Sequence, residues 1–542
     1  MDIWICSSQK SRLKRARELD LRKRANWFFS FGKKYKWRYC GIKNGKPLSW
    51  NGPYYFEIAD NEELTLKQFR CRVLKNDTSK NAGGLITIDY GKIAVDRKGN
   101  PVWYLPHLRK FPGNPGKSPD IRITNAGTFL FMINGNLFEC DINGKKLWSA
   151  PNDGKVSGDT TEYYHHDFIR MPDGNYMVLG EKYIWKNIQS GFNKSKFRAE
   201  NLDTLSTPNR VKILFGTIIE YNSKGEVVWS WNSADYFSDL DIFSNETATN
   251  HPRRNLPERA EIFGHMNAFT VDADGKFIYA GFRDISRIVK IEKSSGKVVD
   301  SWGKRLPSGD AAAGEGFFKN QHDVCLTPNG NIAVFNNNGL NDSLNTSAAV
   351  EFSQSKLNEP SKITWTFDCK FDSLTNGKSN RTGGVEFLNN NNVLICMGTL
   401  CRVTEVTHRD KEVVWDAFFE TGDASKNLWT PLMLYRAHYS SSLYPCYFTI
   451  KSYEDKIRKN DLSVKIMITN EGSNDDSYSI NVTDESGINL YSNDKIEVKA
   501  TQMLNLNFKI NALPAKAKKI SVVVNSNTNK NLIKKAELEV VK

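Results

Sequence analysis

The sequence predicts an all-β fold, in which a six-bladed β-propeller is followed by a small immunoglobulin-like β domain. Two observations predict the propeller. A unit made of a turn and a tryptophan recurs six times, and three histidines occupy matching places in three consecutive repeats. A third observation predicts the extra domain, because tryptophan disappears and short alternating runs begin beyond about residue 446.

The repeat couples a polar turn, built on glycine in most copies, to an apolar run that ends in tryptophan. Such a turn between alternating β-branched residues is typical of a hairpin. Two copies lack the glycine, and in one copy the tryptophan is displaced by two positions. The six copies are residues 96–103, 141–148, 223–229, 295–302, 361–365 and 411–415. Intervals of roughly 45 to 80 residues between the tryptophans match four-stranded blades, with loops inserted in the longer ones.

Three regions follow from this pattern and from the charge distribution: a basic extension (1–45), the propeller (46–445) and the C-terminal β domain (446–542). The chain has 542 residues and a formal net charge of +14 at pH 7. The extension holds thirteen Lys or Arg against three acidic residues, a balance of +10, so the remainder carries only about +4. Such a run can bind nucleic acid or acidic lipid. It is more often a solvated extension, and we expect no nucleic-acid partner.

The C-terminal region shows strand patterns without chemistry. Its alternating runs are 463–468, 478–482, 520–524 and 538–541. Strands at this spacing are typical of an immunoglobulin-like sandwich, for which we expect an accessory role.

Targeting signals and cysteine content say little about where in the cell the protein works. No signal peptide is visible, because the apolar opening is short and the positive charges follow it rather than precede it. No window of 18 apolar residues occurs, so we expect no membrane span. Nine cysteines settle no redox compartment. Cys396 and Cys401 are close enough in sequence to form a disulfide, although buried thiols are the expected state.

Three histidines hold equivalent places in the repeat. His166 and His322 each lie eight residues before a turn glycine, Gly174 and Gly330, and His265 lies ten before Gly275. Repeats related by rotation bring equivalent positions together around an axis. The histidines are therefore expected to converge on one spot.

A second repeated position carries cationic and hydrogen-bonding side chains. Eight residues past the same turn glycines stand Lys182, Arg283 and Asn338. In the fifth copy Asn391 takes the place of the glycine, and the same count leads to Thr399. Such side chains near three imidazoles predict a pocket for an anion.

These residues carry a resemblance to a known family. The segments 165–167, 264–267 leading to Arg283, and 321–323 leading to Asn336 resemble the signature of the bacterial arylsulfate sulfotransferases. The similarity runs over most of residues 80–440. That family is a six-bladed propeller that moves a sulfuryl group from one phenol to another.

The resemblance implies a role for each matching residue. His322 corresponds to the histidine that is transiently sulfated, and His166, His265 and Arg283 to residues that bind and neutralise the sulfate oxygens. Thr399 corresponds less closely to a threonine that contacts the same group. An aryl sulfate donor and a phenolic acceptor are the implied partners, with no metal or organic cofactor. The resemblance also implies a homodimer and export to the periplasm, whereas the missing signal peptide leaves a cytoplasmic site open.

The residue types suit this chemistry. Neutral imidazole is a nucleophile that needs little activation at pH 7, since its unperturbed pKa is about 6.5. Attack by His322 on sulfur would release the first phenol, and a second phenol would then remove the group, which predicts ping-pong kinetics. Arg283 would hold the sulfuryl oxygens, and His265 or His166 could donate to the leaving oxygen.

Other interpretations remain open at this point. A non-catalytic interaction propeller needs no axial histidines, and a quinone-dependent dehydrogenase would usually want about eight blades and calcium-binding carboxylates. Asp167 and Asp323 can act as turn caps or orienting groups, and His165 is expected to face away from His166. We interpret the remaining histidines as non-catalytic: His107, His251, His408 and His438.

Overall fold

The computed structural model describes residues 3–5, 14–16, 31, 33–43, 46–58, 68–89, 92–105, 120–133, 135–194, 197–244, 261–309, 312–338, 345–355, 360–515, 517–530 and 532–541. The chain divides into two compact units. The propeller unit comprises residues 63–122 and 129–439, and the terminal unit comprises residues 1–62, 123–128 and 440–542.

The terminal unit contains three sheets. One has four strands in the order β2-β1-β3-β4, with β1 at Ile3–Ile5, β2 at Lys14–Ala16, β3 at Lys33–Lys43 and β4 at Lys46–Ile58. The strand β4 pairs with β3 in antiparallel orientation.

The propeller unit is built from six sheets with a common four-stranded pattern. A preceding strand, β5 (Phe69–Asn76), lies outside this pattern. Blade 1 contains β6 (Leu85–Ile88), β7 (Ile93–Asp96) and β8 (Pro101–Tyr104), and blade 2 contains β9 (Ile121–Ile123), β10 (Phe129–Ile133), β11 (Asn136–Cys140) and β12 (Lys146–Ser149). Blade 3 contains β13 (Phe168–Arg170), β14 (Tyr176–Asn187), β16 (Arg210–Tyr221) and β17 (Val227–Asn232), and blade 4 contains β19 (Met266–Val271), β20 (Phe277–Phe282), β21 (Arg287–Glu292) and β22 (Lys297–Gly303). Blade 5 contains β23 (His322–Leu326), β24 (Ile332–Asn336), β25 (Ala348–Phe352) and β26 (Ile363–Asp368), and blade 6 contains β27 (Gly384–Phe387), β28 (Asn392–Cys396), β29 (Arg402–Thr407) and β30 (Val413–Asp423).

The two ends of the propeller sequence close the ring of blades. The last strand, β32 (Ala437–Ser440), pairs with β6 and becomes the first strand of blade 1. The strand β5 pairs with β30 on the outer edge of blade 6. Blade 1 and blade 6 are therefore each completed by a segment from the opposite end of the propeller.

The repeated tryptophans lie on the fourth strand of each blade and bind the next blade. Five of them donate an indole N–H to a residue between the third and fourth strands of the following blade, and Trp148 instead stacks on Tyr176 with ring centroids 3.8 Å apart. The donors and acceptors are Trp103 and Ile142 O (3.0 Å), Trp229 and Lys293 O (2.9 Å), Trp302 and Ser361 Oγ (3.0 Å), Trp365 and His408 O (2.7 Å), and Trp415 and Arg97 O (2.8 Å). The last of these joins blade 6 to blade 1, so the predicted six-bladed ring is confirmed.

The turns behave as the repeat predicts. Gly174, Gly275 and Gly330 join first and second strands and have φ of 91°, 71° and 78°, values that favour glycine. Asn391 occupies the equivalent place in blade 6 with φ of 63°. Asparagine is one of the few other residues that adopt this conformation readily.

Blade 3 carries most of the additional structure. The short strands β15 (Leu202–Asp203) and β18 (Glu261–Phe263) pair with β16, and the one α-helix of the described residues, α1, spans Asp239–Ile242. Among the described residues of the propeller unit, the other short elements are β31 (Leu428–Pro431), which pairs with β30, and 3-10 turns at Ala199–Asn201, Ser233–Asp235 and Gly398–Leu400.

The C-terminal strands form two sheets around a shared core. The three-stranded sheet contains β33 (Phe448–Ser452), β35 (Ser463–Asn470) and β38 (Met503–Lys509); the five-stranded sheet contains β34 (Lys456–Arg458), β40 (Ile533–Val541), β39 (Lys519–Ser526), β36 (Asp476–Asp484) and β37 (Asn489–Val498). Ile466 on β35 and Ile480 and Val522 on the other sheet are fully buried in this core. The all-β prediction is confirmed, whereas the immunoglobulin-like class of this domain stays a prediction. Within the residues that the structure describes, no helix has the length and apolar character needed to cross a membrane.

Candidate active site

The site lies where the first strands of the blades begin and the second strands end. Because these strands are antiparallel neighbours, both ends fall on the same face of the propeller. His265 directly precedes β19, and Arg283 directly follows β20. The backbone N–H of Arg283 donates to the carbonyl of His265 at 3.1 Å, which holds the two predicted site residues side by side.

The rings of the three predicted histidines and of Tyr435 form one cluster. The centroids of His166 and His265 are 4.9 Å apart with their planes nearly perpendicular. The ring of Tyr435 lies 5.5 Å from that of His166 and 6.2 Å from that of His322. Blades 3, 4 and 5 therefore deliver their histidines to one place, as the equivalent repeat positions predicted.

His322 is held in one tautomer by Asn337. The Nδ1 atom of His322 lies 2.8 Å from Oδ1 of Asn337. The amide nitrogen of Asn337 donates to the carbonyls of Ser379 (2.6 Å) and Thr382 (2.9 Å), so its oxygen must face the imidazole. An amide oxygen only accepts, and Nδ1 of His322 therefore carries the proton. In the neutral ring, Nε2 keeps its lone pair.

Burial keeps these imidazoles neutral. The pKa of His322 is lowered to about 3, first by desolvation and then by the nearby charge of Arg283. The pKa of His166 is also well below its usual value, because of burial and the neighbouring histidines. Loss of solvent disfavours the charged form of histidine. At neutral pH, His322 is consequently an uncharged nitrogen base.

Arg283 supplies positive charge beside His322. Its side chain is only 9% exposed, and Nη1 lies 2.7 Å from Oδ1 of Asp284. A guanidinium has five N–H donors in a planar fork, and one carboxylate contact leaves others for an anion. After burial, the charge of Arg283 is the next cause of the lowered pKa of His322.

A second buried arginine ties together the aspartates that follow two of the histidines. Arg436 Nη1 lies 2.9 Å from Asp167 Oδ2, and its Nη2 lies 3.6 Å from Asp323 Oδ1. Arg122 Nη2 also contacts Asp167, at 2.8 Å. Since the aspartates come from blades 3 and 5, this cluster joins inner strands across the axis. It orients the backbone segments that carry the histidines.

Thr399 is linked to His322 through two intermediates. Its backbone N–H and its Oγ1 lie 3.0 and 3.2 Å from Ser379 Oγ. The carbonyl of Ser379 accepts from Asn337, which contacts His322. The role of Thr399 in contacting a substrate stays a prediction.

Two predicted substrate-binding residues lie away from the imidazole cluster. The side-chain amide of Asn338 donates to the carbonyl of Thr346. Lys182 lines a separate groove of about 830 Å³ together with Lys155, Trp231 and Asp235. The groove mixes charges, since it contains Asp235 and Lys155 already lies 2.8 Å from Asp153. The roles of Asn338 and Lys182 stay predictions.

The other histidines and the cysteines have structural surroundings. His438 Nε2 lies 2.6 Å from Asp120, which raises the pKa of this histidine to about 9 despite burial. His408 Nε2 lies 2.8 Å from Glu351. Cys396 and Cys401 are both buried free thiols. His107 and His251 lie outside the described residues.

Sequence reasoning missed Asn337, Tyr435 and Arg436. A count of eight from the turn glycine led to Asn338, one residue beyond the side chain that meets His322. Tyr435 and Arg436 directly precede β32, the strand that completes blade 1 from the other end of the propeller. These two residues follow no turn of the sequence repeat. Only if each repeat had been taken to begin one strand earlier would they have been predicted to lie at the axis.

Comparisons with known proteins address the family. Among curated proteins, none matches the chain. Similar solved structures include a protein of unknown function from Bacteroides caccae (14% identity, TM-score 0.35, covering 68% of this chain and 98% of that one) and the periplasmic gluconolactonase PpgL from Pseudomonas aeruginosa (9%, 0.31, 81% and 99%). Another is the β-propeller domain of Cps50 (Swd1) from Myceliophteria thermophila (11%, 0.26, 55% and 85%). Likenesses this low carry no argument about activity. A family model described as Arylsulfotransferase (ASST) matches residues 72–430, which span all six blades up to the closing strand, and the chain therefore belongs to the arylsulfotransferase family.

Proposed function

We propose that this arylsulfotransferase moves a sulfuryl group from a phenolic sulfate ester to a phenolic acceptor by a ping-pong mechanism, with a sulfohistidine at Nε2 of His322 as the intermediate. The observation that carries the proposal is the contact between His322 Nδ1 and Asn337, which leaves Nε2 as the lone-pair nitrogen. The lowered pKa of His322, to about 3, keeps that lone pair available at neutral pH.

In the first half-reaction, Nε2 of His322 attacks sulfur while the bond from sulfur to the phenolic oxygen breaks. The electron pair of that bond leaves with the phenolate, and His166 or His265 supplies a proton to it. Arg283 binds the sulfuryl oxygens through its remaining N–H donors. In the second half-reaction, an acceptor phenol attacks sulfur, its proton passes to a neighbouring base, and the pair of the N–S bond returns to His322.

The remaining predicted residues have supporting roles in this proposal. Thr399 contacts the sulfuryl group from the wall that Ser379 orders, and Asn338 and Lys182 contact more distant parts of the substrates. Two further expectations rest on the family resemblance alone: a periplasmic or secreted working site, and a homodimer. Cell fractionation and light scattering of the purified protein test these two.

The proposal is tested by release of p-nitrophenol from p-nitrophenyl sulfate with phenol as acceptor, for wild type and His322→Ala. Acceptor-dependent release that His322→Ala loses is the expected result. His408→Ala is the matched control, since that histidine pairs with Glu351 outside the site. Mass spectrometry of protein quenched with donor alone should find one added sulfuryl group on the peptide that contains His322. Equal release by wild type and His322→Ala would overturn the proposal.

A further inference from the structure

His165 and His166 are adjacent in sequence, yet their rings meet. The Nδ1 atoms of the two imidazoles are 2.5 Å apart, and the ring planes are nearly perpendicular with centroids 4.7 Å apart. The left-handed backbone of His166, with φ of 59°, turns its side chain out of the alternation expected of a strand. Two nitrogens at this distance share a proton, so one of them donates and the other accepts.

The direction of this hydrogen bond follows from the other side of His165. Its Nε2 lies 3.1 Å from the carbonyl oxygen of Gly180, which only accepts. Nε2 of His165 therefore carries the proton, and in the neutral ring Nδ1 is the acceptor. His166 then donates from Nδ1, and its Nε2 is an unprotonated base. The pair thus assigns a tautomer to His166 as Asn337 does to His322.

A carboxylate lies at the outer end of this pair. Oε1 of Glu181 is 3.8 Å from Nε2 of His165. The His165 and Glu181 side chains are 13% and 19% exposed, so the path from His166 through His165 leads toward solvent. Glu181 and Gly180 are consecutive residues of β14, which fixes the carboxylate and the carbonyl relative to each other.

His166 itself is a poor place to keep a positive charge. The titratable and charged groups around it are His165, His265, His322, Arg436 and Tyr435. The three other imidazoles and the guanidinium, together with burial, hold its pKa well below the usual value. A proton that His166 removed from an acceptor phenol would soon return to the phenol unless a neighbouring group accepted it from His166.

We propose that His165 and Glu181 form a proton relay that lets His166 act first as acid and then as base in sulfuryl transfer. The inference rests on the proposed function and specifies which histidine serves as proton donor and acceptor. His165 acts through His166 and is a positioning and relay residue.

The protons balance over the two half-reactions. In the acid state, Glu181 holds a proton, His165 carries its proton on Nδ1, and His166 carries its proton on Nε2. As Nε2 of His166 delivers its proton to the departing phenolate, the Nδ1 proton of His165 moves to Nδ1 of His166 and the proton of Glu181 moves to Nε2 of His165, which gives the tautomers seen in the structure. In the second half-reaction, Nε2 of His166 accepts the proton of the acceptor phenol. The Nδ1 proton of His166 then moves to Nδ1 of His165, and the Nε2 proton of His165 passes to Glu181. No net proton is gained or lost over the cycle.

The relay predicts a dependence on the leaving group that a structural role does not. p-Nitrophenolate leaves readily without a proton, whereas the unsubstituted phenolate needs one. General acid catalysis contributes about 10²–10⁴-fold. We therefore expect His165→Gln to lower sulfuryl transfer from phenyl sulfate by about 10²-fold. The same variant should change the stoichiometric release of p-nitrophenol from p-nitrophenyl sulfate far less. Glu181→Gln should give a smaller loss with the same selectivity and should shift the pH profile for phenyl sulfate.

His408→Gln is the matched control, because its imidazole also pairs with a glutamate but lies outside the site. Equal losses with both donors in His165→Gln and Glu181→Gln would assign the pair a structural role and overturn the relay. Unchanged rates with both donors would overturn it as well. Failure of the proposed function is a separate result, since it would appear as full activity of His322→Ala or as no transfer by wild type.

Discussion

His322 donates its Nδ1 proton to Asn337, an amide whose own two N–H groups are already bound to backbone carbonyls. In the neutral ring this contact leaves Nε2 as the nitrogen with the lone pair. Nε2 is the atom that attacks sulfur in the proposed mechanism.

Replacing Asn337 should impair the chemical step more than substrate binding. In Asn337→Leu, the imidazole loses its acceptor and both tautomers become populated, so we expect kcat to fall by about 10–10²-fold with little change in KM, in line with the usual loss when an orienting partner is removed. Steady-state kinetics with p-nitrophenyl sulfate and phenol measure this. The control is Asn331→Leu, because the side-chain amide of Asn331 donates to Glu351 instead. Equal losses of kcat in the two variants would contradict a specific role of Asn337 at His322.

Arg283 should contribute through geometry as well as charge. Arg283→Lys keeps a positive charge but loses the planar fork, and we expect kcat/KM to fall by about 10²-fold, with a larger fall in Arg283→Met. Arg305→Lys, at an exposed position, is the matched control. If Arg283→Lys retained full activity, a point charge alone would suffice for the sulfuryl oxygens.

The pKa of His322 has a consequence for stability in acid. This pKa is about 3 in the folded protein, below the unfolded value of about 6.5. At pH values between these two pKa values, His322 binds a proton in the unfolded chain but not in the folded protein. Stability therefore decreases as the pH is lowered from about 6.5 toward 3, by up to about 1.4 kcal/mol per pH unit for one group. Urea unfolding of wild type and His322→Gln between pH 6.5 and 4 measures it. The dependence should be shallower in the variant, and parallel curves would contradict the burial argument.

His438 should act with the opposite sign. Its folded pKa of about 9 exceeds the unfolded value of about 6.5, because Asp120 stabilises the imidazolium. The stabilisation is fully present below pH 6.5 and is lost as pH rises through 9. His438→Gln should therefore be less stable than wild type at pH 6, with a smaller difference at pH 9.5. Thermal unfolding at the two pH values tests this, and a difference that grows with pH would refute it.

Arg436 should matter for stability because it is shared by two aspartates. Arg436→Met leaves Asp167 without its 2.9 Å contact and Asp323 without its 3.6 Å contact. Breaking a buried ion pair on one side costs about 3–5 kcal/mol. The control is Arg409→Met, whose partner Asp410 and own side chain are 72% and 94% exposed, and an exposed pair contributes about 0–1 kcal/mol. Equal urea midpoints for the two variants would show that the axial cluster is not stabilising.

The blade count and the site histidines were predictable because they repeat. Each tryptophan was found on a fourth strand, and His166, His265 and His322 were found in one cluster, in which His166 contacts His265 and Tyr435 contacts His166 and His322. The partners of these residues do not repeat. Asn337 contacts the imidazole of His322 in blade 5, whereas in blade 3 the imidazole of His166 contacts His165. Counting along the chain finds equivalent positions and cannot find a contact that one blade alone makes.

The sequence by itself determined the all-β class, the six blades and the three imidazoles, because hairpin turns and apolar alternation act over a few neighbouring residues. The tertiary structure decided which nitrogen of His322 and of His166 keeps its lone pair. That depends on Asn337 and Gly180, which belong to different blades, and the charge around these imidazoles also depends on Arg436. Arg436 arrives only when β32 closes blade 1, more than 330 residues after β6 begins that blade. The charge and proton arrangement of the site is therefore a product of ring closure.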